Sequence, residues 1–139
     1  MPRRAVEDDL RDVGAAIAWT GEWTAALAED DRFALEVCVE EALANLITHG
    51  RALNGEKAIA LTVVADDDRA VIEITDGCAP FDLTVAAPPP REGADALLEG
   101  GRGLKLIRSF AGDLAYESEP GGNRLTMRFG GGAKPAPEG

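Results

Sequence analysis

Three polar residues of one predicted helix are spaced four residues apart: Glu41, Asn45 and His49. Residues four apart share a helix face, so these side chains project in the same direction. A carboxylate can orient or deprotonate an attacking hydroxyl, and an amide oxygen can ligate Mg²⁺, which prefers oxygen. Taken alone, the spacing is more typical of a solvated helix face. His49 suits a structural role near the helix C-terminus, where the dipole favours positive charge.

A second candidate is the carboxylate of Asp76, which follows an apolar strand directly and precedes Gly77. This position places a carboxylate at the edge of a sheet, where the chain turns sharply. There it could accept a hydrogen bond from an exocyclic amine such as adenine N6. From this segment alone, a turn-forming Asp is the favoured interpretation.

Glycines at 100, 101 and 103 open a helix that is predicted from about Arg102 to Ala111. Without Cβ atoms, backbone N–H groups can approach an anion closely, and a helix N-terminus adds the positive end of its dipole. The segment is therefore a candidate phosphate cradle. It is not a Walker A loop, because no Gly-Lys-Ser/Thr follows, and it closes no β-α-β unit as a dinucleotide fingerprint would.

Two longer helices precede these segments. Apolar residues at intervals of three and four predict a first helix from about Val6 to Leu27. A second helix is predicted from the cap at Asp30 and Asp31 to about His49, with Gly50 as its stop. No strand is evident before the first helix.

Further along the chain, the apolar period changes to that of strands. Strands are predicted at 58–64, 70–74, 114–117 and 124–129, with the first two joined as a hairpin through three aspartates. The Gly/Pro/Ala tail at 131–139 is expected to be disordered. The order of elements predicts one α+β domain over residues 1–130, a two-layer α/β sandwich with a mainly antiparallel mixed sheet and helices on one face.

Charge and composition limit the partners that we expect. The net charge of −11 over 139 residues opposes binding to nucleic acid or to an anionic membrane. It suits a partner with a basic patch, or solubility alone. The two cysteines, Cys38 and Cys78, make no disulfide framework and no metal-binding pattern. With no targeting or membrane-spanning segment evident, we expect a cytoplasmic protein with reduced thiols.

The candidate groups follow one another along the chain as Glu41-x-x-x-Asn45, then Asp76, then Gly101-x-Gly103-Leu104-x-Leu106-Ile107. This order and spacing resemble the three nucleotide-binding boxes of the GHKL ATPases, which have the Bergerat fold. The compact branch of anti-sigma-factor serine/threonine kinases is the most similar, and the resemblance covers roughly residues 10 to 130. That branch usually has a glycine two residues after the adenine-binding Asp, where this chain has Cys78.

The resemblance implies a role for each matching position. Glu41 would be the general base, Asn45 the Mg²⁺ ligand, and Asp76 the acceptor for adenine. Thr126 matches the strand position that supports the adenine site, and residues 82–100 would form the ATP lid. The ATP phosphates would lie at the glycine segment, with its candidate residues Gly101, Gly103, Leu104 and Lys105. For Lys105, a solvated surface position is the favoured interpretation.

The function implied by the resemblance is that of an ATP- and Mg²⁺-dependent anti-sigma factor. It would phosphorylate a serine of a STAS-type anti-anti-sigma protein, bind a sigma factor and form a homodimer. An alternative is a module that binds ATP and sequesters its partner without phosphoryl transfer, which Cys78 at the glycine position supports. A third is the ATP-binding half of a histidine kinase. It is disfavoured because no dimerisation helix with a phosphoacceptor precedes the domain and the single histidine, His49, lies in the first box.

Overall fold

The structure is a computed structural model of the chain, and it describes residues 1–80, 111 and 113–131. These residues form five strands and two helices: β1 (Arg3–Val6), α1 (Arg11–Trp23), α2 (Glu29–His49), β2 (Ile59–Ala65), β3 (Arg69–Asp76), β4 (Asp113–Glu119) and β5 (Gly122–Gly130). The helix predicted at 102–111, the lid at 82–100 and nearly all of the tail lie outside the described residues. Within the described ranges, neither helix is long and apolar enough to cross a membrane.

The sheet has the strand order β1-β2-β3-β5-β4. Each ladder between its neighbours is antiparallel, so the described strands contain no parallel pair of the predicted mixed sheet. The predicted hairpin of β2 and β3 is confirmed, with Val63 opposite Ile72. Two helices against a five-stranded antiparallel sheet confirm the predicted α+β fold.

A strand precedes the first helix, contrary to the expectation from the sequence. β1 pairs with β2, and Val6 lies opposite Ile59. Only Val6 of its four residues is buried, so the segment is too short to show alternation. Because the chain is extended at this point, α1 begins at Arg11 and not near Val6, and it ends at Trp23. The Arg4 guanidinium donates to both carboxylate oxygens of Asp12, at 2.9 and 3.0 Å, and so ties β1 to α1.

The core lies between the helices and one face of the sheet. Side chains alternate along a strand, so every second residue of β2, β3 and β5 points inward. The buried inward residues of these strands are Ile59, Leu61, Val63, Ala70, Ile72, Ile74, Leu125, Met127 and Phe129. The apolar stripe of α2 packs against them, with Leu35, Val39 and Leu43 at most 1% exposed. The core therefore holds α2 against the sheet, beside the strand ends that carry Asp76 and Gly122.

Helix α2 begins one residue before the predicted cap. Ala28 is the N-cap residue and makes no side-chain capping bond. Glu29, Asp30 and Asp31 instead occupy the first turn, where negative charge interacts favourably with the helix dipole. At the other end, the prediction is confirmed: His49 is the last helical residue, and the Gly50 N–H donates to the Leu46 carbonyl at 2.8 Å.

Candidate nucleotide-binding site

A pocket lies between α2 and the edge of the sheet at which β3 ends and β5 begins. It is lined by Ala42, Asn45, Leu46, Gly50, Ile74, Asp76, Cys78, Ala79, Tyr116, Asn123 and Leu125. The space not filled by protein atoms is about 420 Å³, and this volume includes solvent at the open mouth of the pocket. Its lining is mainly apolar with a few polar groups, and such a surface suits a flat heterocycle that needs orienting.

The Asp76 carboxylate is held in one orientation at the wall of this pocket. Its Oδ1 accepts a hydrogen bond from the Cys78 backbone N–H at 2.8 Å and another from Asn123 Nδ2 at 2.9 Å. The Cys78 thiol also interacts with this carboxylate as a hydrogen-bond donor. Since an ionised carboxylate has about four acceptor positions, it can still accept a hydrogen bond from a ligand. The geometry therefore suits recognition of an amino group.

The turn formed by residues 76–79, which we call the acidic turn, is fixed by its backbone to the loop after α2. Three hydrogen bonds join the two segments: Leu53 N–H to the Gly77 carbonyl at 2.9 Å, Gly77 N–H to the Lys57 carbonyl at 2.6 Å, and Ala79 N–H to the Arg51 carbonyl at 2.8 Å. Backbone bonds of this kind do not depend on side-chain rotamers. The loop 51–57 thus holds the acidic turn in place through backbone hydrogen bonds.

The same loop holds the C-terminal end of α2. Lys57 Nζ donates to the carbonyls of Leu46 and Ile47 at 3.2 and 2.6 Å, and it forms an ion pair with Asp8 at 2.8 Å. The last carbonyls of a helix have no partners within the helix, and a cation there also interacts favourably with the helix dipole. Lys57 therefore connects two elements: its side chain binds the end of α2, and its backbone carbonyl binds the acidic turn.

Two glycines permit close packing around the pocket. A Cβ atom on Gly50 would lie 2.5 Å from the Leu46 carbonyl oxygen and 3.0 Å from Cys78 Sγ. A Cβ atom on Gly122 would overlap the carbonyl oxygen of Asp76. The end of α2, the acidic turn and the start of β5 therefore approach one another more closely than any residue with a side chain would allow.

Asn45 projects from α2 into the pocket. Its Nδ2 atom is buried and has no hydrogen-bond partner among the described residues. Mg²⁺ in nucleotide sites is commonly held by one or two protein oxygens together with substrate phosphates and water, so this side chain fits the predicted ligand. Glu41 lies one turn earlier, is partly buried, and is not among the residues that line the pocket.

The family model for the histidine kinase-like ATPase domain matches residues 6–129, which include every residue that lines this pocket. The chain belongs to the histidine kinase-like ATPase family. The resemblance to the GHKL ATPases is therefore confirmed, and the chain is an ATP-binding domain of the kinase-like type.

The known proteins that are similar to this ATPase domain include a serine/threonine kinase and a histidine kinase domain. The serine/threonine-protein kinase BtrW of Bordetella bronchiseptica is 36% identical over 112 residues, which are 80% of this chain and 76% of BtrW. The histidine kinase domain of a blue-light activated histidine kinase from Erythrobacter litoralis EL346 has a TM-score of 0.54 at 14% identity. That match covers 87% of this chain and 60% of the histidine kinase chain, and at this identity it concerns the fold alone.

The structure does not bring Thr126 to the pocket of the ATPase domain. Thr126 lies opposite Glu73, and both alternate with inward residues, so they occupy the face of the sheet away from the helices. The β5 residue that reaches the pocket is Asn123, which pairs with Asp76 across the ladder. Strand alternation could have identified it, because Asn123 is two residues before the inward-facing Leu125. The resemblance had instead matched Thr126 to the strand position that supports the adenine site.

The other predicted site residues are not in the pocket or are not described. His49 is exposed at the end of α2, where a structural histidine was expected, and it does not line the pocket. The predicted phosphate-binding residues Gly101, Gly103, Leu104 and Lys105 lie outside the described residues. Of the predicted site residues, the described pocket of the ATPase domain therefore contains Asn45 and Asp76.

Cys78, at the position where the resembling branch usually has glycine, is fully enclosed. Its side chain is 1% exposed, and burial, together with the negative charge of Asp76, raises the pKa of the thiol to about 11. The thiol is therefore protonated at neutral pH, and a thiol is a much weaker nucleophile than a thiolate. The backbone N–H of the same residue supports Asp76, so the substitution keeps the hydrogen bond that orients the carboxylate.

Proposed function

We propose that this ATPase domain is a protein serine/threonine kinase and an anti-sigma factor, and that its substrate is a serine of a STAS-type anti-anti-sigma protein. The observation that carries the proposal is the position of Glu41 one turn before Asn45, which lines the same pocket as the oriented carboxylate of Asp76. The identity to a protein named as a serine/threonine kinase supports the same activity.

In the proposed reaction, Asp76 accepts a hydrogen bond from adenine and Asn45 supplies an oxygen to Mg²⁺. Mg²⁺, when bound, would neutralise charge on the phosphates. The glycine segment at Gly101 and Gly103 is assigned to those phosphates by the resemblance. Glu41 takes the proton of the serine hydroxyl as its oxygen bonds to the γ-phosphorus, and the bond from that phosphorus to the bridging oxygen of ADP breaks. The products are ADP and phosphoserine.

The partners follow from this function and from charge. A protein with a net charge of −11 can attract a basic surface on a sigma factor or on the STAS-type protein. Sigma factors act on cytoplasmic RNA polymerase, so the proposal places this protein in the cytoplasm. A homodimer is part of the same proposal.

A second candidate function is nucleotide-dependent sequestration of a partner without phosphoryl transfer. Two observations favour it: Cys78 occupies the usual glycine position, and Glu41 does not line the pocket. In this case ATP would change the affinity for the partner, and no covalent product would form.

The two functions are separated by a transfer assay. The protein is incubated with Mg²⁺, γ-labelled ATP and STAS-type proteins from the same genome, and ATP affinity is measured by calorimetry. We expect labelling by the wild type and a loss of about 10²-fold or more in Glu41→Gln, with ATP affinity retained. Glu40→Gln, on the adjacent exposed position, is the matched control.

An active Glu41→Gln protein would refute the assigned base. ATP-dependent binding of the STAS-type protein or of a sigma factor, with no labelling by the wild type, would favour the sequestering module. No heat on mixing with Mg²⁺ and ATP would contradict both functions.

A further inference from the structure

The Asn123 side chain is fixed in a single orientation at the pocket. Its Nδ2 donates to Asp76 Oδ1 at 2.9 Å and lies 3.0 and 3.2 Å from the carbonyl oxygens of Cys78 and Ala79. All three neighbours are acceptors, so the nitrogen end of the amide must face them. The position of the other end, Oδ1, is determined as a consequence.

The oxygen end of this amide is a buried acceptor without a donor. Asn123 is 6% exposed, and its Oδ1 has no hydrogen-bond partner within the described part of the chain. Leaving a buried acceptor unpaired costs free energy, and native structures retain few such groups. Asn123 lines the pocket beside Asp76, and no donor among the described residues pairs with its Oδ1, so a bound ligand is the candidate to supply the missing donor.

The chemistry of adenine matches this pair of acceptors. Its 6-amino group carries two N–H donors, and the Asp76 carboxylate can satisfy one of them. We propose that Asn123 Oδ1 accepts the second N6 hydrogen of ATP, so that the pocket recognises both hydrogens of the 6-amino group. A hypoxanthine or guanine base has an acceptor, O6, at this position and would face two acceptors without a donor. Asn123 is then a residue that determines base specificity, as well as one that orients Asp76.

This inference rests on ATP binding in the pocket but not on phosphoryl transfer. N6-methyl-ATP tests it, because methylation removes one N6 hydrogen and leaves the other for Asp76. We expect calorimetry with Mg²⁺ to show that the wild type binds N6-methyl-ATP about tenfold more weakly than ATP, the usual effect of losing one buried hydrogen bond. ITP should bind more weakly still.

Asn123→Leu separates a hydrogen bond from simple exclusion of the methyl group. Leu has the same branching at Cγ, is at least as large and has no polar atom, so a steric effect would persist in this variant. We expect its affinity for ATP to fall about tenfold or more, and its ratio of N6-methyl-ATP to ATP dissociation constants to approach one. Asn54→Leu, at an exposed loop position, is the control and should keep the wild-type ratio.

Two results would overturn the inference. One is equal affinity of the wild type for ATP and N6-methyl-ATP, which needs no variant and so stands even if Asn123→Leu fails to fold. The other is an unchanged ratio in a folded Asn123→Leu protein, which would leave Asn123 a purely structural role. If the wild type bound no adenine nucleotide at all, the proposed function would fail first, and that outcome is distinct from both.

Discussion

Replacing Lys57 by Met tests whether one side chain holds the end of α2 in place. Met keeps most of the length and apolar contact of the Lys stem but removes the ammonium group. The carbonyls of Leu46 and Ile47 then lose their donor, at 3.2 and 2.6 Å, and Asp8 loses its ion pair. We expect the carbonyl bonds to account for most of the effect.

The magnitude follows from the environment of each contact. Hydrogen bonds to charged groups contribute about 1.5–3 kcal/mol each. In the variant, the Leu46 carbonyl still accepts the hydrogen bond from the Gly50 N–H at 2.8 Å. The Ile47 carbonyl, in contrast, loses its hydrogen bond from Lys57 Nζ and has no other donor among the described residues outside the helix. The Lys57 side chain is 14% exposed, but that of Asp8 is 53% exposed, and such ion pairs contribute about 0–1 kcal/mol. We therefore expect Lys57→Met to lower the free energy of unfolding by about 2 kcal/mol.

Urea unfolding followed by the fluorescence of Trp19 and Trp23 measures this change. A loss of about 2 kcal/mol should also lower Tm by roughly 5–10 °C for a domain of this size. Asp8→Asn is the matched control, because it removes the ion pair and leaves the two carbonyl bonds, and we expect it to cost about 0.5 kcal/mol or less. Equal losses in the two variants would refute the reasoning, since the ion pair would then be the contact that stabilises the helix end.

Two further predictions concern the pocket and the core. Gly122→Ala should destabilise the protein by about 3 kcal/mol or more, because its Cβ atom would overlap the Asp76 carbonyl, whereas Gly121→Ala, which has open space around it, should be neutral in thermal denaturation. Burial raises the pKa of Cys38 to about 12 and that of Cys78 to about 11, so both thiols should resist alkylation at pH 8 until the protein unfolds. Because the unfolded thiols ionise near pH 8.5, their contribution to stability is complete below that pH and is lost as the pH rises toward these folded values. Urea unfolding between pH 8 and 10.5 should show a smaller decline in Cys38→Ala than in the wild type, and identical slopes would contradict the assigned burial.

The long elements of the fold could be predicted from the sequence because their periodicity extends over many residues. The stripe of α2 and the alternation of β2 and β3 are of this kind, and their observed ends differ from the predicted ones by one or two residues in most cases. β1 has four residues and one buried side chain, so its identity depends on pairing with β2, which no local pattern reveals. The formation of β1 therefore depends on tertiary pairing and could not be predicted from local sequence.

The site was predictable to the extent that its residues carry distinctive side chains in order. Asp76 and Asn45 were identified in this way, and both line the pocket. Asn123 was missed because the resemblance assigned the adenine-supporting strand position to Thr126, and strand alternation was not used to test that assignment. The backbone bonds of the loop 51–57 could not have been predicted, since every residue has the same N–H and carbonyl groups.

That loop gives the site a property that its side chains alone would not have. Asn45 is on α2 and Asp76 is at the end of β3, and the two elements are joined at the site through Lys57, whose side chain binds one and whose carbonyl binds the turn after the other. A nucleotide that contacts both residues must therefore stabilise the same junction that Lys57 holds. By linkage, saturating ATP at about 100 times its dissociation constant adds roughly 2.7 kcal/mol to the free energy of unfolding, which is comparable to the loss expected for Lys57→Met. Nucleotide should then restore much of the stability of that variant, although with weaker apparent affinity, because part of the binding energy is used to order the end of α2.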